Sequence, residues 1–126
     1  MDVPAFLLRK LYRKGSLRDL GDGRFAFALQ NPLGDATLVA PPVIVVNGVH
    51  YPPERIESPR VELAAISYKK PYAFRRGDHI TLRFRGHLLR GGNRIHVQAA
   101  TKEWGDLDIY VEDRPADGVV EDGDDG

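Results

Sequence analysis

Four stretches of this chain alternate apolar and polar residues with a period of two: "RFAFALQ" at 24–30, "HITLRFR" at 79–85, "RIHVQAA" at 94–100 and "DLDIYVED" at 106–113. An extended strand sends successive side chains to opposite faces, so each stretch carries one apolar face. Those faces are Phe25, Phe27 and Leu29; Ile80, Leu82 and Phe84; Ile95, Val97 and Ala99; and Leu107, Ile109 and Val111. A fifth stretch, "VIVVNGVHY" at 43–51, sets Asn47-Gly48 between two apolar runs, the strongest short-range hairpin signal. Pro41-Pro42 and Pro52-Pro53 bracket it and end the strands. Turn residues separate the runs: Gly21-Asp22-Gly23, Gly77-Asp78, Gly91-Gly92-Asn93 and Gly105-Asp106. Short strands with one apolar face each predict an all-β fold, an antiparallel β-sandwich of immunoglobulin-like or jelly-roll-like type.

The first residues depart from this pattern. Residues 4–14 predict a short helix, with Pro4 at a first helical position and Gly15 as C-terminal cap. Leu7, Leu8, Leu11 and Tyr12 share one face, and a helix this short is marginal unless that face docks. The expected organisation is an amphipathic segment at 1–15, a sandwich at 16–116 and a disordered acidic tail at 117–126.

The 126 residues suffice for one domain with its own hydrophobic core. There is no cysteine, which excludes disulfides, thiolate metal sites and cysteine nucleophiles and fits a reducing cytosol. No apolar run nears the roughly 20 residues of a membrane span, and the N-terminus lacks the charge order of a signal peptide. The expectation is a cytoplasmic protein with no membrane contact. Net charge is zero, yet Lys69 to Arg94 holds eight basic residues against one acid, while Asp117 to Gly126 holds five acids and no base. Such asymmetry suits a polyanion site beside an acidic tail.

The basic stretch includes "RRGDHITLRFRG" at 75–86. Its Arg76-Gly77-Asp78 reads as ordinary turn chemistry ahead of a strand rather than an adhesion signal. Alternation sends Arg83 and Arg85 outward, and Arg94 and His96 outward from the next strand. If these strands pair, one basic face forms, with Tyr110 beside it as the outward aromatic. Asp106, Asp108 and Glu112 share that face, so charge balance competes with anion binding. Nucleic acid is the less favoured ligand, because readers of single strands need more stacking aromatics than Tyr110 alone. His79 and His96, with Asp108 or Glu112, suggest a metal only if their strands are neighbours, and no compact ligand motif supports it. Hence no metal, cofactor or catalytic residue is assigned. Trp104, at a hairpin tip, is either an exposed anchor for a partner or a cover over the end of the sandwich.

The order "GRFAFALQNPL", "VIVVNGVHYPPERI", "FRRGDHITLRFRGHLLRGGNRIHV" resembles the small β subunit of bacterial C-glycoside deglycosidases and its relatives. The likeness spans residues 24–113 and rests on Val46-Asn47-Gly48, Gly77-Asp78 and the segment Leu89–His96. It implies a β-sandwich subunit, without catalytic residues of its own, that packs beside a larger sugar-active chain. The leading functional expectation is therefore a non-catalytic accessory subunit that joins a protein partner or a second copy through Phe6, Leu7, Leu11, Tyr12 and Trp104. The alternative is a binding module for an anionic ligand through Arg83, Arg85, Arg94, His96 and Tyr110. A metal-dependent enzyme ranks last.

Overall fold

A computed structural model describes residues 3–52, 55–56 and 61–116. The expected tail at 117–126 lies outside the described residues. The chain opens with helix α1 (Ala5–Leu8) and a 3-10 turn at Arg9–Leu11. Strands follow in the order β1 (Arg18–Gly21), β2 (Arg24–Gln30), β3 (Ala36–Leu38), β4 (Val43–Val46), β5 (Val49–Tyr51), β6 (Arg55–Ile56) and β7 (Val61–Glu62). After a second 3-10 turn at Leu63–Ala65 come β8 (Tyr72–Phe74), β9 (His79–Arg85), β10 (Asn93–Thr101) and β11 (Gly105–Asp113). One sheet has the order β1-β2-β9-β6-β7. The other runs β5-β4-β10-β3-β8, with β11 on the free edge of β10. All recorded pairings are antiparallel, and the all-β sandwich is the fold of the chain. No helix among the described residues is long and apolar enough to cross a membrane.

The inward faces are those that the alternation marks. Phe25, Phe27, Ile80 and Leu82 face Ile44, Val46, Ile95, Val97 and Ile109 in one buried cluster. Rings dominate its first-sheet side. Phe25 stacks on Phe84 at 5.1 Å and Phe27 on Phe84 at 5.2 Å, while Tyr51 and Tyr12 close the row at either end. Such offset contacts add to area burial. Both hairpin turns read from glycine chemistry form as expected. Asn47-Gly48 and Asp22-Gly23 all have positive φ, the two-residue geometry that matches strand twist. Arg75–Asp78 is a turn too: Asp78 N–H donates to the Arg75 carbonyl, the Asp78 carboxylate accepts from Arg75 N–H, and Gly77 takes φ 92°.

The helix is shorter than predicted. Tyr12 leaves helical geometry at φ −94°, ψ 129° and bridges to Leu29 of β2. Gly15 therefore does not cap the helix. It supplies the positive φ of a separate turn, in which Ser16 N–H donates to the Arg13 carbonyl. The competing interaction is tertiary: strand contact and burial outweigh one more helical turn.

Phe27 joins Tyr12 to Phe84 in the ring row and is 1% exposed. Phe27→Ala is expected to lower unfolding free energy by about 3–5 kcal/mol in urea titrations, and Phe27→Leu by markedly less.

Candidate functional site

The decisive feature for function is which strands share a sheet. β9 pairs with β2 and β6, and β10 pairs with β3, β4 and β11. The link at residues 86–92 carries the chain from one sheet to the other instead of closing a hairpin. Arg83 and Arg85 therefore lie on the outer face of the first sheet, while Arg94, His96 and Tyr110 lie on the outer face of the second. The single basic face expected from the sequence does not form, because alternation fixes inside and outside but not the pairing partner. For the same reason His79, opposite Gln30 on β2, is no neighbour of His96. Among the described residues no group of three or more His, Asp or Glu could hold a metal ion.

On the second sheet the outward positions pair across strands as Val45–His96–Tyr110, Arg94–Glu112 and Gln98–Asp108. His96 and Tyr110 stack almost coplanar, with ring centroids 4.1 Å apart and planes 8° apart. The ring pair is held from one side: His96 Nε2 lies 2.9 Å from a carboxylate oxygen of Asp108, one pair further along β11. That bond fixes the imidazole, and the imidazole carries the phenol ring, which stays 63% exposed. Arg9, Val45, Arg94 and Glu112 border the same broad, shallow depression. The result is a rigid aromatic patch with a charged rim, built where the strand pairing is longest.

The N-terminal segment proves to be part of the sandwich. Leu11 and Tyr12 are 6% and 3% exposed and sit in the core, so neither is presented to a partner. Leu7 is half-buried, and Phe6 alone of the expected docking residues is widely exposed. Trp104 is half-buried over the end of the core, beside Gly34, above a narrow apolar cavity of about 40 Å³. Its backbone N–H is tied to the Thr101 hydroxyl.

The segment is anchored by a residue that is not among the candidate site residues. Asp113 is 8% exposed at the end of β11, and its carboxylate accepts from the Tyr12 hydroxyl at 2.7 Å and from Gly15 N–H at 2.9 Å. A signal existed: Asp113 continues the inward series Leu107, Ile109, Val111. Two buried asparagines play similar parts. Asn93 binds backbone groups of Leu89 and Gly91 and the Asn47 side chain; Asn31 binds Leu33, Gly34 and Phe74.

The family model described as "Hydroxymethylglutaryl-CoA reductase, N-terminal domain" matches residues 7–115. The chain belongs to this family. The match begins inside α1 and ends just past β11, so the N-terminal segment from Leu7 onward falls within the family's domain. It overturns the resemblance to C-glycoside deglycosidase β subunits, and with it the support which that resemblance lent to a sugar-active partner. The motifs behind the resemblance were turns, and unrelated antiparallel folds share turn chemistry. No curated protein and no solved structure matches the chain.

Burial, then the hydrogen bond and charge of Asp113, push the Tyr12 hydroxyl far above its ordinary value of 10.0. Below that value both folded and unfolded chains keep the phenol proton. Above it the unfolded chain releases the proton and the folded chain retains it, so this group makes stability fall as pH rises. Tyr12→Phe is expected to cost about 1.5–3 kcal/mol near neutral pH. It should also flatten the alkaline loss, which approaches about 1.4 kcal/mol per pH unit for one such group. Urea midpoints of both proteins across the alkaline range measure the two effects together.

Proposed function

We propose that this chain is a non-catalytic accessory domain that binds a protein partner through the His96–Tyr110 face of its second sheet. The supporting observation is the stacked ring pair, locked by Asp108 yet open to solvent. Exposed aromatics usually lose side-chain entropy on binding; this one is already held, so less is lost when a partner covers it. A central aromatic with Val45 beside it and Arg94, Arg9 and Glu112 around it has the composition of an interface centre and rim. The family's name supports the catalytic part of a hydroxymethylglutaryl-CoA reductase as the partner, either along the same polypeptide or as a separate chain. A second copy of the domain is the competing occupant. The cysteine-free sequence fits a reducing, cytoplasmic setting for such a pair.

The reading predicts that the domain co-elutes with the reductase catalytic chain encoded in the same genome. Tyr110→Ala should weaken that complex by about 30-fold, the effect of a residue worth about 2 kcal/mol at an interface. Its own stability should change by less than about 1 kcal/mol, since the ring is exposed. Calorimetric titration and thermal melts of the variant separate the two. If Tyr110→Ala binds as tightly as the parent, or the domain instead forms a dimer that Tyr110→Ala disrupts, the reductase partnership is wrong.

A further inference from the structure

The two ends of the sandwich are packed differently. At one end, where β2 begins and β9 ends, rings fill the space between the sheets: the Phe25 centroid lies 5.1 Å from that of Phe84 and 5.2 Å from that of Tyr51. At the other end, where β2 ends and β9 begins, the walls are mostly aliphatic and two of them are small. Ala36 of β3 and Ala99 of β10 line a cavity of about 40 Å³ there, together with Leu29, Ile80 and Leu107. Atoms around a void lose the dispersion contacts that a packed neighbour would give them.

The cavity offers nothing to water. Among its described lining residues only Asn31 and Thr101, besides the Trp104 indole, carry polar side-chain atoms. Both use those atoms elsewhere. The Asn31 amide nitrogen donates to the Gly34 and Phe74 carbonyls, and its oxygen accepts from the Leu33 and Gly34 N–H groups. The Thr101 hydroxyl donates to the Gly105 carbonyl and accepts from the Trp104 N–H. A buried water needs about two to four polar partners, so an apolar cavity stays dry and its occupant must be apolar.

Trp104 closes this end from the turn between β10 and β11. The backbone of that turn is fixed. The Glu103 carboxylate accepts from the Thr37 N–H at 2.8 Å and from the Thr37 hydroxyl at 2.7 Å, and Lys102 N–H donates to the Thr37 carbonyl. The indole is held by packing alone. Its ring N–H makes no hydrogen bond to any described residue, although a buried indole usually finds one. The side chain is half-buried, and its benzo edge lies beside Gly34, which has no side chain to wedge it. Rotation of the indole on this fixed backbone breaks no hydrogen bond and joins the cavity to solvent.

We infer that this end of the sandwich receives the tip of a straight alkyl chain, with the Trp104 indole as its gate. Shape favours a chain over a ring. Benzene occupies an engineered cavity of about 150 Å³, and this one is about a quarter as large. At about 30 Å³ per water-sized group, the cavity itself holds a terminal methyl and little more, and the space that the indole leaves takes the methylenes behind it. The chain tip restores the dispersion contacts that the walls lack. The site lies between the sheets, whereas His96 and Tyr110 lie on an outer face, so it does not rest on the partner interface proposed above.

The probe is 1-hexanol, titrated into the full chain and followed by methyl NMR and by fluorescence. Binding should saturate below about 10 mM. The terminal methyl of hexanol should show NOEs to Leu38 and Leu107 in the cavity wall. Emission of Trp104, the one tryptophan in the chain, should move to longer wavelength as the indole turns toward water. Affinity should rise about fourfold per methylene from 1-butanol to 1-hexanol, the equivalent of about 0.8 kcal/mol. Ala99→Leu puts a larger side chain into the cavity and should weaken hexanol binding about tenfold. Ala36→Val tests the same point from β3 if thermal melts show that Ala99→Leu is unfolded. Tyr110→Ala, on the outer face, should bind hexanol as the parent does. The inference is refuted if hexanol does not saturate by about 10 mM. It fails equally if the NOEs fall on Val46 and Ile95, outside the cavity wall, or if the folded cavity-filling variants bind as the parent does. Binding with Trp104 emission unchanged would overturn the gate.

Discussion

Tyr12 and Asp113 meet across 101 residues of sequence, and their buried hydrogen bond joins the first part of the fold to the last. Closing a loop of that length costs several kcal/mol of chain entropy. One hydrogen bond does not offset that; the ring row around Phe27 and the paired strands do. The bond decides something narrower. It selects which of several packed arrangements the N-terminal segment takes. With Asp113 buried, its carboxylate must be satisfied: Tyr12 and Gly15 donate to one oxygen and the Arg114 N–H to the other. The segment is therefore ordered by polar demand as much as by its apolar face. Both outer faces inherit this order. Arg9 borders the aromatic depression, and the Arg13 N–H bonds the Ala28 carbonyl on the first sheet.

The same logic explains where buried polar residues occur. The four described polar or charged residues that are buried are Asn31, Asn93, Thr101 and Asp113. Each continues, or begins, an inward-facing series: Asn31 follows Phe25, Phe27 and Leu29; Asn93 precedes Ile95 and Val97, and Thr101 ends that series; Asp113 follows Leu107 and Ile109. All four sit where a strand meets a loop. There the backbone stops pairing with a neighbour, and its free N–H and C=O groups need partners. An inward side chain with donors or acceptors at that position supplies them. Asn93, for instance, accepts from Leu89 N–H and donates to the Leu89 and Gly91 carbonyls. Polarity at the end of an apolar alternation is thus a readable mark of a loop anchor.

That mark shows how far the sequence could be read. The period of two identified β2, β9, β10 and β11 and the inward face of each, because a half-buried strand must keep its apolar residues on one side. The Asn47-Gly48 turn identified β4 and β5. The strands β3 and β8 have three residues each, too few to display a period. The helix was overdrawn because Leu11 and Tyr12 satisfy a helical face and a strand bridge equally well in one dimension. The sheet to which each strand belongs is the least legible feature. Turn residues at 86–92 suit a hairpin and a crossing between sheets alike, and the choice depends on contacts far apart in sequence. Arg83 and Arg94 were thereby assigned to one surface when they belong to two.

Separating the two surfaces changes the meaning of the charge pattern. On the second sheet, acids and bases interleave: Arg94 stands opposite Glu112, and Asp108 bonds His96. Such a face is nearly self-compensated, and what it leaves unsatisfied is aromatic surface, which a protein partner covers. On the first sheet Arg18 and Arg83 stand opposite Ala26 from either side, and the outer face is cut back to alanine on the strand whose inner face carries Phe25 and Phe27. Alanine fills two successive outward positions, and both are as buried as core residues although they face away from the core. Small side chains there let the stems of Arg18 and Arg83 cover the strand, so this face hides apolar surface beneath charge where the second sheet exposes an aromatic ring.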